Sequence, residues 1–539
     1  MVRKHGRPMQ HVVALTLILL LTPLLAVARP QPAVAAGIVS QCTEAALRNA
    51  LTGGGLVTFS CSGVIPIASQ LVITADTTID GGGQVTLDGQ DATRLIQVNA
   101  GVTVELRGLT LTAGRAVFPE HGGAIHNSGT LTIIAGTLSG NHAETFEFNP
   151  SNGGAIFNLG SLTIIESIFD GNSASGSGGA IFNDSGAVAV EDSTLTANSS
   201  DNRAGAIFSR LGSLTLTAST LTGNRASFGG AVETQQSNAT IIASTLSGNT
   251  AASTGGAIDN LGGSTMTIIA STLTGNSTVN GGGAISNGFS NLTLTASTLS
   301  GTTSVSTGGA IDNVGGTVTL TANILSSSVS NCARDTAFIT SSGYNIGSDA
   351  SCNLTASGDL QNTDPLLGPL ANNGGPTATK LPLTGSPALN RVPNALCVIL
   401  SAANAGRDQR GAPRPESSGA ACDSGSVELQ LNNYFCVGER SGSLRYFVTP
   451  NGCVRGEFRL MQTADGVYAF CVGDRSGSMR YLPNSATNCL RGEWQLVMPE
   501  VSPITICVGE RSRAVRYVAH AGQCNARGEL AYHIVNPVG

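Results

Sequence analysis

Eight positions in one column hold the side chains with the most chemistry to offer. His126, Phe157, Phe182, Phe208, Glu233, Asp259, Ser286 and Asp312 recur at steps of 25 to 31 residues, each directly after an isoleucine or valine. If these residues stack, Phe157, Phe182 and Phe208 make an aromatic floor on which a sugar ring can lie. Glu233 and Asp259 then sit at about the separation that a retaining glycosidase uses, with Asp312 as a third acid. A lyase of acidic polysaccharide would instead need clustered carboxylates for calcium and an arginine as base. The plainer reading is an aromatic stack covered by loops, followed by solvated acids, and the sequence favours it. No arginine or histidine stands in a matching column near the acids, and 4% aromatic residues with one tryptophan, Trp494, leave few platforms for sugars. His121, His126 and His142 lie close together in a loop-rich unit, where ordinary polar contacts are expected rather than a metal.

What positions this column is a repeat. The phrase GGAIHN starts at Gly122, GGAIFN at Gly153 and Gly178, AGAIFS at Ala204, GGAVET at Gly229, GGAIDN at Gly255 and Gly308, and GGAISN at Gly282. The alanine steps are 31, 25, 26, 25, 26, 27 and 26 residues, a period that decides the fold. Each unit adds an alternating run such as Leu131-Thr-Ile133 or Leu214-Thr-Leu216, and a Ser-Thr-Leu-x-Gly-Asn phrase such as Ser219 to Asn224. Short period-2 runs bounded by Gly, Ser, Asn and Thr are strands, so three strands per unit are expected. The units contain no helical pattern, which excludes helix-bearing solenoids and leaves a parallel β-helix whose coils stack at roughly 4.8 Å.

The residue types suit that geometry. The isoleucine column (Ile125 to Ile311) and a second column (Leu138, Phe169, Leu195, Leu221, Leu246, Leu273, Leu299 and Leu325) should point inward. The glycine pair frees the backbone for a corner where side chains of successive coils would collide. Asn141, Asn172, Asn198, Asn224, Asn249 and Asn276 can form an amide ladder at a bend that tolerates a left-handed residue, fading where Thr302 and Ser328 replace asparagine.

Residues 1–36 read as a secretory signal: Arg3, Lys4 and Arg7 precede an apolar run from Val12 to Leu25, and Ala33-Val-Ala35 offers small residues for cleavage. Further along there is no second apolar stretch of spanning length. The twelve cysteines fall into near neighbours, Cys42 with Cys61, Cys332 with Cys352, Cys397 with Cys422, Cys436 with Cys453, Cys471 with Cys489 and Cys507 with Cys524. Pairing by proximity in an oxidising compartment is expected; zinc is the alternative, without a CxxC to support it. Without the signal the chain has 24 basic and 34 acidic side chains, net −10, which gives no electrostatic reason for nucleic acid or an anionic membrane.

Residues 37–330 are read as the β-helix with its N-terminal cap, Gln41 to Leu51 forming one short helix over the first coil, and about eleven coils in all. Residues 331–430 are rich in Pro, Gly, Asn and Asp and read as a loop-rich C-terminal cap stapled by two disulfides. In 431–539 a different unit appears three times, as CVGERSGSLRY from Cys436, CVGDRSGSMRY from Cys471 and CVGERSRAVRY from Cys507, each with a second cysteine 17 or 18 residues on and an Arg-Gly-Glu. These read as disulfide hairpins, in which Arg440 with Glu457 and Arg475 with Glu493 are internal ion pairs. This segment is net +3 against −13 for 37–430, so the two could dock on each other, or the basic one could meet an acidic polymer.

The GGAI-x-N and S-x-[FL]-x-x-N alternation resembles the polymorphic outer membrane protein repeat of chlamydiae, which implies a right-handed β-helix of surface adhesins and autotransporters. The phrases DPLLGPLANNGGPT (Asp364 to Thr377), GSPA, DQRGAPRP and CDSGSVE look like those ending many bacterial secreted β-helix proteins. The last repeats look like small hairpins near the ends of bacterial cell-surface and phage tail proteins. The β-helix class also includes pectate lyases and polygalacturonases, but the NTD, DD and GHG phrases of the latter are missing. The expectation is therefore an exported, cell-surface or extracellular adhesin-like scaffold without a cofactor or metal, binding a surface polysaccharide or a protein. A polysaccharide lyase or glycoside hydrolase is the alternative, the one reading under which calcium enters, and a structural envelope protein is the third.

Overall fold

The computed structural model describes residues 35–306, 308–334, 338–383, 385–415 and 419–429, and beyond them the backbone of nine strands between Tyr434 and Ile534. Eleven short parallel strands, from Leu71–Ile73 through Ile96–Val98 and Ile125–Asn127 to Cys332–Arg334, form one sheet. Each of these opens a coil, and the coils are numbered 1 to 11 along the sheet; the eight GGAI-type repeats are coils 3 to 10. A second sheet of 23 strands takes two from each regular coil, such as Thr130–Ile134 and Thr137–Ser139 in coil 3. Between those two strands the chain turns through a left-handed residue, Ala135, Glu166, Asp192, Ala218, Ala243, Ala270, Ala296 or Ala322.

A third sheet, of eight strands from Arg115–Val117 to Thr303–Ser304, was not expected. A regular coil thus has three strands or four, and the fourth, often two residues long as in Ser173–Ala174, is too short to show a period of two. The strands pair in register from coil to coil, Ile156 with Ile181 and Leu162 with Val188 among them, apart from single irregularities such as those at Ala226/Phe228 and Leu320/Thr321.

The two apolar columns point inward as their composition requires: Ile125, Ile156, Ile181, Leu138, Phe169 and Leu195 are fully buried in one continuous core. The glycine pair has two separate jobs. The first glycine, at Gly122, Gly153, Gly178, Gly229, Gly255, Gly282 and Gly308, has φ between +59° and +76°, which an L side chain rarely adopts. The second is closed by the next coil, since a Cβ on Gly154 would strike the carbonyl oxygen of Gly179.

Polar ladders complete the interior. The side-chain amides of Asn141, Asn172, Asn198, Asn224, Asn249 and Asn276 bond each to the next at 2.9–3.1 Å, all fully buried. The left-handed residue at this bend is the one before the asparagine, such as Gly140 or Ala197, not the asparagine itself. Where the asparagines stop, Thr302 Oγ1 meets Ser327 Oγ at 3.1 Å, one residue earlier than Ser328. A second ladder runs through Asn127, Asn158 and Asn183 at 2.7 Å, and serines make a third, the amides of Ser167, Ser193 and Ser219 each donating to the next coil's hydroxyl.

The N-terminal helix spans Glu44–Ala50, with Thr43 Oγ1 accepting from Ala46 N at 3.3 Å; it buries Leu47 in the core and packs Ala50 against Gly37 of the strand Ala35–Val39, ahead of coil 1. At the other end the strands of coil 11 run past residue 330, through Phe338–Gly343 and Ile346–Gly347. The following segment does more than cover an open end. It folds back as a strap along the outside of coils 7 to 11: Thr377 donates to Ala243 O, Gln409 bonds Thr245 and Thr272, Ser426 bonds Thr298, and Ser424 donates to Tyr344 O.

The charged phrases in the strap have a structural task. Arg414 donates to Glu428 at 3.3 Å and to the carbonyls of Asp423, Gly425 and Val427, while Asp408 accepts from Arg410 and from the Glu428 amide. A helix, Asn394–Ser401, stands where only loop was expected and buries Cys397 and Ser401, one turn apart. Three disulfides join Cys42 to Cys61, Cys332 to Cys352 and Cys397 to Cys422. The pairings of Cys436 with Cys453, Cys471 with Cys489 and Cys507 with Cys524, and the ion pairs of Arg440 and Arg475, lie outside the described side chains. Each of the three C-terminal repeats forms three antiparallel strands, a hairpin with a third strand added, as in Tyr434–Gly438, Leu444–Phe447 and Glu457–Leu460.

Candidate functional site

The residue after each inward isoleucine or valine does point away from the core, but from Phe157 to Ser286 it is buried, and only His126 and Asp312 at the two ends are half-buried. The chain in the glycine turn of its own repeat lies over it: a Cβ on Gly229 would be 3.0 Å from that of Glu233, one on Gly255 2.9 Å from that of Asp259, and one on Gly308 3.1 Å from that of Asp312. The column is therefore a second, narrow interior between the sheet and its own glycine corners.

Its first half is aromatic. His121 stacks on Phe157 with ring centroids 4.8 Å apart, His126 lies tilted against Phe157 at 5.3 Å, Phe157 stacks on Phe182 at 5.2 Å, and Phe182 meets Phe208 at 5.0 Å. All three phenylalanines are buried, so they serve as packing and not as an open platform for sugar. Arg210, paired with Asp184 at 2.8 Å, sits over the Phe182 ring at 5.3 Å. His126 is pushed down to about 4, by burial first and then by Arg94 and His121, so it stays neutral. The three histidines do not gather: His121 contacts Ser151 and Asn152 N, whereas His142 bonds Ser173 at 2.8 Å in the eight-stranded sheet. Among the described residues no group of three His, Cys, Asp or Glu side chains is placed to hold a metal ion.

The acids of the second half are buried, not solvated. Glu233 and Asp259 are register partners on coils 7 and 8 and both are 0% exposed. An arginine is present after all, since Arg203, one coil earlier, is ion-paired with Glu233 and lies over the Phe228 ring. It escaped the column argument because it stands in the connection before a glycine turn, not on the strand. Asp259 accepts from Thr254 Oγ1 at 2.9 Å. Glu233 Oε2 and Asp259 Oδ1 make no hydrogen bond, which leaves one cation for two buried carboxylates. Burial first and then the neighbouring Asp259 push Glu233 up to about 8, against the pull of Arg203, and burial raises Asp259 as well. Asp312, two coils beyond Asp259, is half-buried, with Ser286 between them.

The strand spacing of roughly 4.8 Å does bring the two carboxylates near the separation of a retaining pair. Access and ionisation are wrong for that chemistry. A nucleophile must be ionised and must touch the sugar, whereas here both acids are held towards the protonated state beneath the glycine corners.

The accessible features lie elsewhere. The first repeat takes 31 residues where the later ones take 25 to 27, and the extra residues form a finger, Thr145 to Pro150, on the edge of coil 3. Phe146 and Asn149 pair backbone to backbone across it at 3.2 and 3.0 Å, and Phe148 at its tip is 97% exposed. At its base lies a shallow groove of about 190 Å³, lined by Glu144, Thr145, Ser173, Ser175, Ser199 and Asp201. The long first step was the sequence signal for these residues.

Stacked short strands, glycine corners and amide ladders define a parallel β-helix scaffold of eleven coils. Residues 166–184, which hold the S-x-F-x-x-N and GGAIFN phrases of coils 4 and 5, match the Chlamydia polymorphic membrane protein repeat. That repeat points to a surface or outer-membrane protein on a β-helix scaffold. Comparison with curated proteins and with solved structures gives no match. Among the described residues no helix is long and apolar enough to cross a membrane.

Proposed function

We propose that the chain is exported and works at the cell surface as an adhesin-like binding scaffold, holding a surface polysaccharide or a protein ligand without transforming it. The observation that carries this reading is the sealing of Glu233 and Asp259: the acids best placed for glycoside chemistry are 0% exposed, while polar and aromatic groups stand open on the outside of the coils. Coils locked by three polar ladders make a rigid face on which weak contacts add without a large ordering cost. The leader-like 1–36, the repeat match and three disulfides support export and a surface location. Calcium and other cofactors have no part in this reading.

The test is to incubate the exported chain with a polysaccharide panel, with and without calcium, and measure both retention and new reducing or unsaturated ends. Retention without cleavage is expected. Release of products would overturn the scaffold reading and return attention to Glu233, Asp259 and Asp312.

A further inference from the structure

We infer that the groove beneath the Thr145–Pro150 finger is a binding subsite for a neutral glycan, with Phe148 as its stacking platform and Asp201 and Glu144 as its hydroxyl acceptors. This rests on the binding-scaffold reading and names a ligand class and a place for it.

The finger is a single departure from an otherwise even period, and it is anchored at the groove from both sides. Thr145 lines the groove on one side, and on the other the Ser151 amide donates to Ser175 Oγ, also in the wall, at 3.1 Å. The paired backbone of Phe146 and Asn149 closes the tip, so two phenylalanines, 54% and 97% exposed, are carried on a short finger that rises from Thr145 at the groove's edge. Aromatic residues are 4% of this chain, and the three in the neighbouring column are sealed in, which makes two exposed rings on one short finger a costly arrangement for solubility alone.

The groove itself is polar. Ser173, Ser175 and Ser199 line it at neighbouring coil positions, and Glu144 and Asp201 stand at its edges. Arg115 holds Glu144 through two bonds of 2.6 and 2.9 Å, fixing its orientation and leaving acceptor capacity on the carboxylate. A pyranose presents just this combination, an apolar C–H face for an aromatic ring and a rim of hydroxyls for carboxylates and serines. Charge narrows the class. Glu144, exposed Glu147 and Asp201 stand against Arg115 and exposed Arg225, the register partner of Ser199, so the groove has no cationic excess to draw an acidic polysaccharide and suits a neutral one better.

The experiment uses the full exported chain on immobilised neutral and uronic-acid oligosaccharides, compared with Phe148→Ala, Asp201→Asn and a control, Phe289→Ala, which removes an exposed ring on another edge. Neutral oligosaccharides should be retained in preference to acidic ones. Phe148→Ala should weaken that retention by roughly three- to tenfold, the loss of one stacked ring, and Asp201→Asn should weaken it as well, while Phe289→Ala leaves it unchanged. Preference for acidic chains, or retention indifferent to both groove variants, overturns the subsite. In the second case the glycan is still held, so the scaffold reading stands with its site elsewhere; cleavage of the oligosaccharide would instead overturn the scaffold reading itself.

Discussion

Replacing Glu233 by glutamine should make the protein relatively more stable as the pH rises. Burial places this carboxyl at about 8 in the folded chain, against 4.5 for the free side chain. Between those two values the folded state keeps a proton that the unfolded state has lost, so stability falls as pH climbs through the window. Below 4.5 the difference vanishes, and above about 8 the loss is complete. At 1.36 kcal/mol per pH unit the gap corresponds to about 5 kcal/mol, an upper bound because water entering a loosened coil would solvate the charge. Glutamine keeps the shape and removes the proton equilibrium; its cost at low pH, where the acid is neutral, is the exchange of a carboxyl for an amide in the hydrogen bond with Arg203, about 1 kcal/mol. Guanidinium unfolding of both proteins at pH 5.5, 7 and 9 tests this, because the difference between them cancels groups that titrate alike in each. The variant should be the weaker at pH 5.5 and the stronger at pH 9. A difference that stays flat, or one that favours the native protein more as pH rises, would refute the claim that this acid is buried and mostly protonated.

Asn198→Ala should cost about 2–4 kcal/mol, because it strands the Asn172 amide groups and the Phe169 carbonyl inside the coil; hydrogen exchange at Asn172 should quicken well before that of the Ile125 column. Gly154→Ala should lower the yield of folded exported protein sharply, since the new methyl meets the Gly179 carbonyl and the backbone of Ser173; export at the native level would show that the coils can separate locally. Replacing both Cys397 and Cys422 by serine, a crosslink over 25 residues, should cost about 3 kcal/mol. Its mark should be faster exchange at Thr272, Thr298 and Ile324 beneath the strap, with coils 3 to 6 unchanged.

The architecture could be read from the chain because a coil repeats its constraints: the same glycine, isoleucine and asparagine answer the same backbone problem each time. What could not be read depends on neighbours distant in sequence. The burial of Glu233 and Asp259 follows from the position of Gly229 and Gly255, and nothing in a strand pattern shows that a corner will fold over its outward residue. Arg203 was invisible for the same reason, reaching Glu233 across 30 residues from a connection outside the column. The strap could not be read because Asp408, Arg414 and Glu428 look like solvated loop charges, although Asp408 pairs with Arg410 and Arg414 with Glu428 in a buried cluster. The two-residue strands of the third sheet fall below the length at which alternation means anything.

The strap also sets the path of mechanical load. Tension that arrives through Leu429 from the C-terminal repeats does not begin by peeling coil 11 off its neighbour. It enters a band fastened by the Arg414–Glu428 pair and by Thr377, Gln409, Ser424 and Ser426 to coils between 7 and 11. Ser426, Ser424 and the Arg414–Glu428 pair, all within 15 residues of Leu429, meet that load before coil 11 does. A solenoid held along its flank in this way has its last coils fastened by the strap, so that its C-terminal end does not open first at coil 11.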